Sequence, residues 1–117
     1  MQVPHLEFVP PNILAQLANM KPFTLLLQKK GPNYNSPDAL KIIQSEHLPH
    51  LFQLREKGIV LISVPVMDDS DVSAIAIYDM LDKDEIKRMT DEDPAVQKGI
   101  FIYELLSCMG MKGDSLQ

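Results

Sequence analysis

Apolar residues along this chain fall into two kinds of spacing, short continuous runs and steps of three or four, and the switches between them outline its elements. Phe23-Thr24-Leu25-Leu26-Leu27-Gln28-Lys29 is a strand-length run closed by the turn signal Gly31-Pro32-Asn33. After a loop from Asn33 to Pro37, Asp38 stands where it can cap a helix. The apolar positions of that helix, Leu40, Ile43, His47, Leu51 and Leu54, recur every three or four residues, the period of one helical face. Gly58 ends it. A β-branched run from Ile59 to Val64 is closed by Pro65, and the acidic stretch Asp68-Asp69-Ser70-Asp71 suits a hairpin loop into a third strand, Ser73 to Asp79. Asp82 with Glu85 makes a capping-box pattern for a short helix reaching about Asp91, with Ile86 and Met89 facing in. After Asp93-Pro94 and a single turn, Ile100 to Leu106 reads as the fourth strand.

The order is βαββαβ, which predicts an α+β, ferredoxin-like domain: a four-stranded antiparallel sheet with the helices on one face. Pro4, Pro10, Pro11 and Pro22 restrict residues 1–22 to extended pieces around one short helix, about Asn12 to Asn19, so this stretch reads as an N-terminal extension. The domain proper is expected over 23–110, with 111–117 as a tail. The strands lack the alternation expected of a sheet that meets water on one side. Ile100, Ile102 and Leu106 oppose Phe101, Tyr103 and Leu105, and Phe23, Leu25 and Leu27 oppose Leu26. The second face therefore needs a cover, and the economical one is another copy of the same sheet in a symmetric homodimer.

Composition narrows the classes of function. The 117 residues, 45% hydrophobic and 23% charged, suit one globular domain. A net charge of −5, with no basic cluster longer than Lys29-Lys30, argues against a grip on nucleic acid or anionic lipid. A small-molecule ligand remains compatible, because one local basic pocket suffices. The lone Cys108 permits no intrachain disulfide, and a reducing cytoplasm is the expected compartment. Residues 1–8 show no export signal, and no apolar run is long enough to span a membrane.

His47 is the sharpest candidate for chemistry, because it occupies a stripe position where Leu or Ile would pack without desolvation cost. It reads either as an acid, base or anion-binding group, or as a core histidine satisfied by a backbone carbonyl. His50 lies beside the same face, but no third ligand stands at a recognisable spacing, so no metal is expected. Asp93 before Pro94 has the arrangement of an N-cap followed by a first-turn proline, and capping alone would explain it. Alternatively its carboxylate orients His47. Ser63 and Tyr78 are candidates for hydrogen bonds to a ligand. No glycine-rich phosphate loop, paired-cysteine motif or hydrolase signature is present, and no cofactor is expected.

Several segments together resemble the YciI-like (YCII-related) family of dimeric α+β-barrel proteins. They are the first strand with Gly31-Pro32, the stretch Glu46-His47-Leu48-Pro49-His50-Leu51 running to Lys57-Gly58, the apolar strand ending at Pro65, and Asp93-Pro94-Ala95-Val96-Gln97-Lys98-Gly99. The resemblance covers about residues 20–110. It implies a ferredoxin-like protomer, dimerisation sheet to sheet, and a cleft where His47 approaches Asp93. Most members of that family are uncharacterised, and a few resemble lyases or dehalogenating enzymes acting on small aromatic breakdown products. Two departures stand out. Val64 replaces a usual glycine and is expected to fill part of the cleft, and Pro49 is expected to kink or restart the helix just after His47. Two functions follow: a small-molecule enzyme of lyase or isomerase type using the His47–Asp93 pair, or a non-catalytic dimer that binds a metabolite or a protein.

Overall fold

The computed structural model describes residues 6–117. Residues 1–5 of the expected N-terminal extension, Pro4 included, lie outside the described part. A short helix, α1 (Pro11–Leu17), precedes the first strand, β1 (Met20–Lys30). Then follow α2 (Ala39–Ile42), a π-helical turn (Ile43–His47), α3 (Leu48–Glu56), β2 (Val60–Pro65), β3 (Val72–Tyr78), α4 (Lys83–Asp91), α5 (Pro94–Gln97) and β4 (Phe101–Met111). The strands form one antiparallel sheet in the order β2-β3-β1-β4. With the two helical segments crossing between strand pairs, this is the ferredoxin-like arrangement expected from the sequence.

One face of the sheet carries the core. Leu26, Val60, Ala76 and Tyr78 pack with Leu54 of α3 and with Ile86 and Met89 of α4. Ile86 is wholly buried, as the spacing in α4 requires. A second cluster joins Ala39 and Ile42 of α2 to Ala95, Ile100 and Phe101. The opposite face shows Leu25, Leu27, Ile75 and Ile77 in its middle, only part-covered, and Leu61, Val64, Ile102 and Leu106 exposed around them. Both faces are thus apolar, and α2 to α5 pack on one of them.

The helix between β1 and β2 departs from its expected stripe, and the π turn is the reason. Leu40 is 66% exposed, whereas Ala39 and Ile42 are buried. A π turn takes in one residue more than an α turn, which rotates the face that follows it. Ile42 and His47, five residues apart, therefore share the inner side, and the ordinary period resumes through Leu51 and Leu54. Pro49 accounts for the break, since it has no N–H to donate backward and its ring crowds the preceding turn. It stands in the first turn of α3, where both defects are tolerated. Asp38 makes no side-chain cap to α2, contrary to expectation. Asp82 does cap α4, accepting from the backbone N–H groups of Asp84 and Glu85.

Two glycines bring the α5 turn against the start of the first connection. A Cβ on Gly31 would stand 2.3 Å from the Gly99 carbonyl oxygen, so only glycine allows the Gly31 N–H to reach the Ile100 carbonyl at 2.7 Å. Gly99 holds a left-handed φ of +70° that ends α5, and Ile100 N–H then returns to the Ala95 carbonyl. This close junction fixes the position of Asp93 relative to the sheet.

Candidate active site

His47 and Asp93 arrive from different parts of the chain and meet beneath the helices. The π turn delivers His47 to the inner side, and its ring stands edge-on to Phe101 at a centroid distance of 4.9 Å. Its Nδ1 lies 2.5 Å from Asp93 Oδ2. Both side chains are buried, His47 at 7% and Asp93 at 4% exposure. The other carboxylate oxygen, Oδ1, accepts the Ala95 backbone N–H at 2.9 Å and so caps α5. Capping and orienting, which the sequence presents as alternatives, are here divided between the two oxygens of one carboxylate.

This arrangement sets the roles of the two imidazole nitrogens. A carboxylate only accepts hydrogen bonds, so Nδ1 is the donor and keeps its proton. Among the described residues no protein group bonds Nε2, and no buried side-chain nitrogen or oxygen is left without a partner. Nε2 is therefore not sealed off, and His47 lines a small cavity. In the neutral ring Nε2 carries a free lone pair, and after it takes a proton Asp93 stabilises the resulting imidazolium.

The cavity, about 40 Å³, brings together all five residues singled out from the sequence: His47, His50, Ser63, Tyr78 and Asp93. That volume holds water-sized groups and is far below an ordinary ligand pocket of a few hundred Å³. His50 places Nδ1 4.0 Å from the same Asp93 Oδ2, beyond hydrogen-bond range but close enough to feel its charge. Burial pushes the Tyr78 phenol above its ordinary value of 10.0, the bond to the Thr90 side chain works against this, and the Asp93 charge adds to the rise. Tyr78 is accordingly a neutral donor in this wall rather than a base. Among the described residues no three His, Cys, Asp or Glu side chains form a set that could hold a metal ion.

Ser63 reaches the cavity through a second irregularity. In the β2–β3 ladder Val60 faces Tyr78 and Ser63 faces Ala76, with the register shifting between Val60 and Ile62. Without the extra residue, simple alternation would put Val64 on the side of Val60. The bulge instead turns Ser63 inward and sends Val64 outward opposite Ile75, 40% exposed. Val64 therefore does not fill the cleft, contrary to the expectation drawn from the missing glycine.

Three polar lining residues, Gln28, Thr90 and Tyr103, and one residue bonded to the lining, Arg55, escaped the sequence reading. Thr90 lines the cavity and donates to the Ile86 carbonyl at 2.7 Å, the usual resting place of a helical threonine. Tyr103 lines it too and donates to Asp91 Oδ1 at 2.7 Å. Burial first, and Asp91 second, hold its phenol well above the ordinary tyrosine value. Arg55 donates to the Ser63 hydroxyl at 2.8 Å. The alternation of β4 was the available signal for Tyr103; nothing local marks Thr90 or Arg55.

Comparison with known proteins adds little to this geometry. No protein-family model matches the chain. No curated protein matches it either. A solved structure similar to it is the 5-chloro-2-hydroxyhydroquinone dehydrochlorinase of Burkholderia phenoliruptrix in complex with 2,5-dihydroxybenzoquinone, at 21% sequence identity and a TM-score of 0.48, covering 71% of this chain and 90% of that one. The α+β, ferredoxin-like fold is established by the strand order and helix placement of the chain itself. No described helix is long and apolar enough to cross a membrane.

Proposed function

We propose that the chain is a small-molecule enzyme of lyase or isomerase type, built on a YciI-like protomer, in which His47 moves a proton and Asp93 orients it. One observation carries this reading: a buried carboxylate holds His47 by Nδ1, no described residue bonds Nε2, and His47 lines a cavity. A histidine present only for packing would have both nitrogens satisfied or one in open water. Nε2 would abstract a proton from an acidic C–H or O–H of a small molecule and return it elsewhere. The imidazolium formed between the two transfers would be stabilised by Asp93, and Tyr78 and His50 would contribute donors at the wall. No cofactor or metal enters this scheme.

The test needs no known substrate. Proton–deuterium exchange at carbon is followed by NMR in heavy water for a panel of small 1,2- and 1,3-diketones and hydroxyquinones. The protein should accelerate exchange in at least one class, and His47→Gln should remove the acceleration. Equal exchange with both proteins, or none with either, defeats the proposal.

The second reading, a non-catalytic module that binds a metabolite or a protein, draws support from the 40 Å³ volume, which encloses no substrate-sized molecule. The expected homodimer belongs to either reading. The central Leu25, Leu27, Ile75 and Ile77, ringed by exposed Leu61, Val64, Ile102 and Leu106, offer an apolar surface suited to a second copy of itself. Sedimentation velocity at micromolar concentration should show a dimer, and Leu106→Glu should shift it to monomer. A stable wild-type monomer overturns the assignment. A cytoplasmic location fits these roles and the lone, part-buried Cys108.

A further inference from the structure

The chain has two arginines, and their surroundings differ in a way that identifies a ligand class. Arg88 is held by two carboxylates: Glu85 through Nε and Nη2, and Glu92 through Nη1 at 2.7 Å. Arg55 has no carboxylate within 4.0 Å among the described residues. Its partner is a neutral hydroxyl, Ser63 Oγ, at 2.8 Å from Nη1. The guanidinium lies 5.7 Å from the Phe52 ring centroid, a contact that favours a stacked cation. In an acidic protein of net charge −5, an arginine with no described carboxylate within 4.0 Å, bonded instead to a hydroxyl of a cavity wall, is conspicuous.

Ser63 joins Arg55 to the cavity. The β2 bulge turns Ser63 inward, where it lines the same hollow as His47, His50 and Tyr78. Because Ser63 Oγ accepts the Arg55 bond and makes no other bond among the described residues, its own O–H remains available to donate. Arg55 likewise keeps four of its five N–H donors. The site thus offers a hydroxyl and a planar cation at one end of a hollow whose other walls include Leu26, Leu51, Leu54, Ala76 and Phe101. A planar anion with a compact apolar body satisfies both parts.

We infer that Arg55 and Ser63 form the anchor for the carboxylate of a small unsaturated or aromatic acid whose body lies toward His47. This rests on the reading of the cavity as a ligand site, but not on His47 performing chemistry. Arg55 sets specificity by charge: an acid is held and its neutral isostere is not. The hollow holds only water-sized groups, so binding requires its lining side chains to move aside.

Benzoate and benzamide, which share a shape and differ in charge, are titrated against the 15N-labelled protein. Benzoate should shift the amide signals of Ser63 and His47, and benzamide should bind at least tenfold more weakly. Arg55→Met should weaken benzoate at least tenfold and abolish the preference, with Arg55→Lys between the two. The titration reads binding alone, with no turnover, so its outcome is independent of whether His47 transfers a proton. Equal binding of the two probes, unchanged benzoate affinity in Arg55→Met, or no benzoate binding at 50 mM overturns the inference. Because Arg55 is exposed and bonded only to a hydroxyl, its variants should fold normally; matching spectra away from the cavity verify this.

Discussion

Asp82 and Asp93 begin consecutive helices with the same residue type in nearly the same backbone conformation, φ/ψ of −75°/96° and −67°/122°. Asp82 stands in water and uses one oxygen twice, for the N–H groups of Asp84 and Glu85 at 3.1 Å each. Asp93 is buried and uses its two oxygens for different tasks, one for the Ala95 N–H and one for His47. The difference shows how a fold converts a local structural device into a site. Capping alone occupies a carboxylate with backbone N–H groups, and burying that helix start beside an imidazole turns its second oxygen to the ring.

Removing the two carboxylates separates the local task from the added one. Asp93→Ala loses a cap worth about 1 kcal/mol and also leaves a buried imidazole N–H without an acceptor, for a total near 3 kcal/mol. Asp82→Ala loses only the cap, about 1 kcal/mol. Urea midpoints compared at constant slope test the ordering. Equal losses would mean that the His47 bond adds nothing to folding. Asp93→Asn should fall between them, since an amide still caps a helix but its NH2 end cannot accept from Nδ1.

His47→Ala approaches the same pair from the other side and should cost about 2 kcal/mol, or roughly 5 to 10 °C in thermal midpoint, because it opens a void and strips a buried carboxylate of its donor. His50, 4.0 Å from that carboxylate, is placed to compensate in part. The double variant His47→Ala/His50→Ala should therefore lose more than the sum of the single losses, by about 0.5 to 1 kcal/mol. Strict additivity would show that His50 does not feel Asp93.

How much of this was legible in the sequence depends on how far each feature is local. Asp82, Ile86 and Met89 were readable because a cap and a helical period are settled within four residues. Asp93-Pro94 was readable as a cap for the same reason. The strand faces were readable from alternation in β1 and β4, where the ladder runs without a break along β4. What failed were the phases. Leu40 was assigned to the buried stripe because a steady period cannot foresee the π turn that Pro49 accompanies, and Val64 was placed in the cleft from the glycine it replaces, which carries no information on the β2 bulge that turns it outward. Both breaks lie at the site: one aims His47 and the other aims Ser63. A regular helix and a regular strand would have presented different residues to the cavity.

The smallest expected effect concerns the pair that joins the last turn of α4 to β4. Tyr103 donates to Asp91, whose carboxyl is held below its ordinary range by Lys87 first and Tyr103 second. The phenol of Tyr103 is itself raised by burial and by Asp91. A group whose folded value is raised contributes stability that is complete below its unfolded value, here the ordinary 10.0, and lost as pH climbs toward the folded one. Wild type should thus lose stability more steeply than Tyr103→Phe above pH 10, and the two curves should run parallel from pH 7 to 9. Lysines titrate in both proteins and Tyr78 remains in both, so the difference curve isolates Tyr103. A difference that stays flat through pH 11 would mean that the phenol is not held by Asp91 in solution, and Asp93 would then be the one carboxylate near the cavity with a structural hydrogen bond to a side chain of the site.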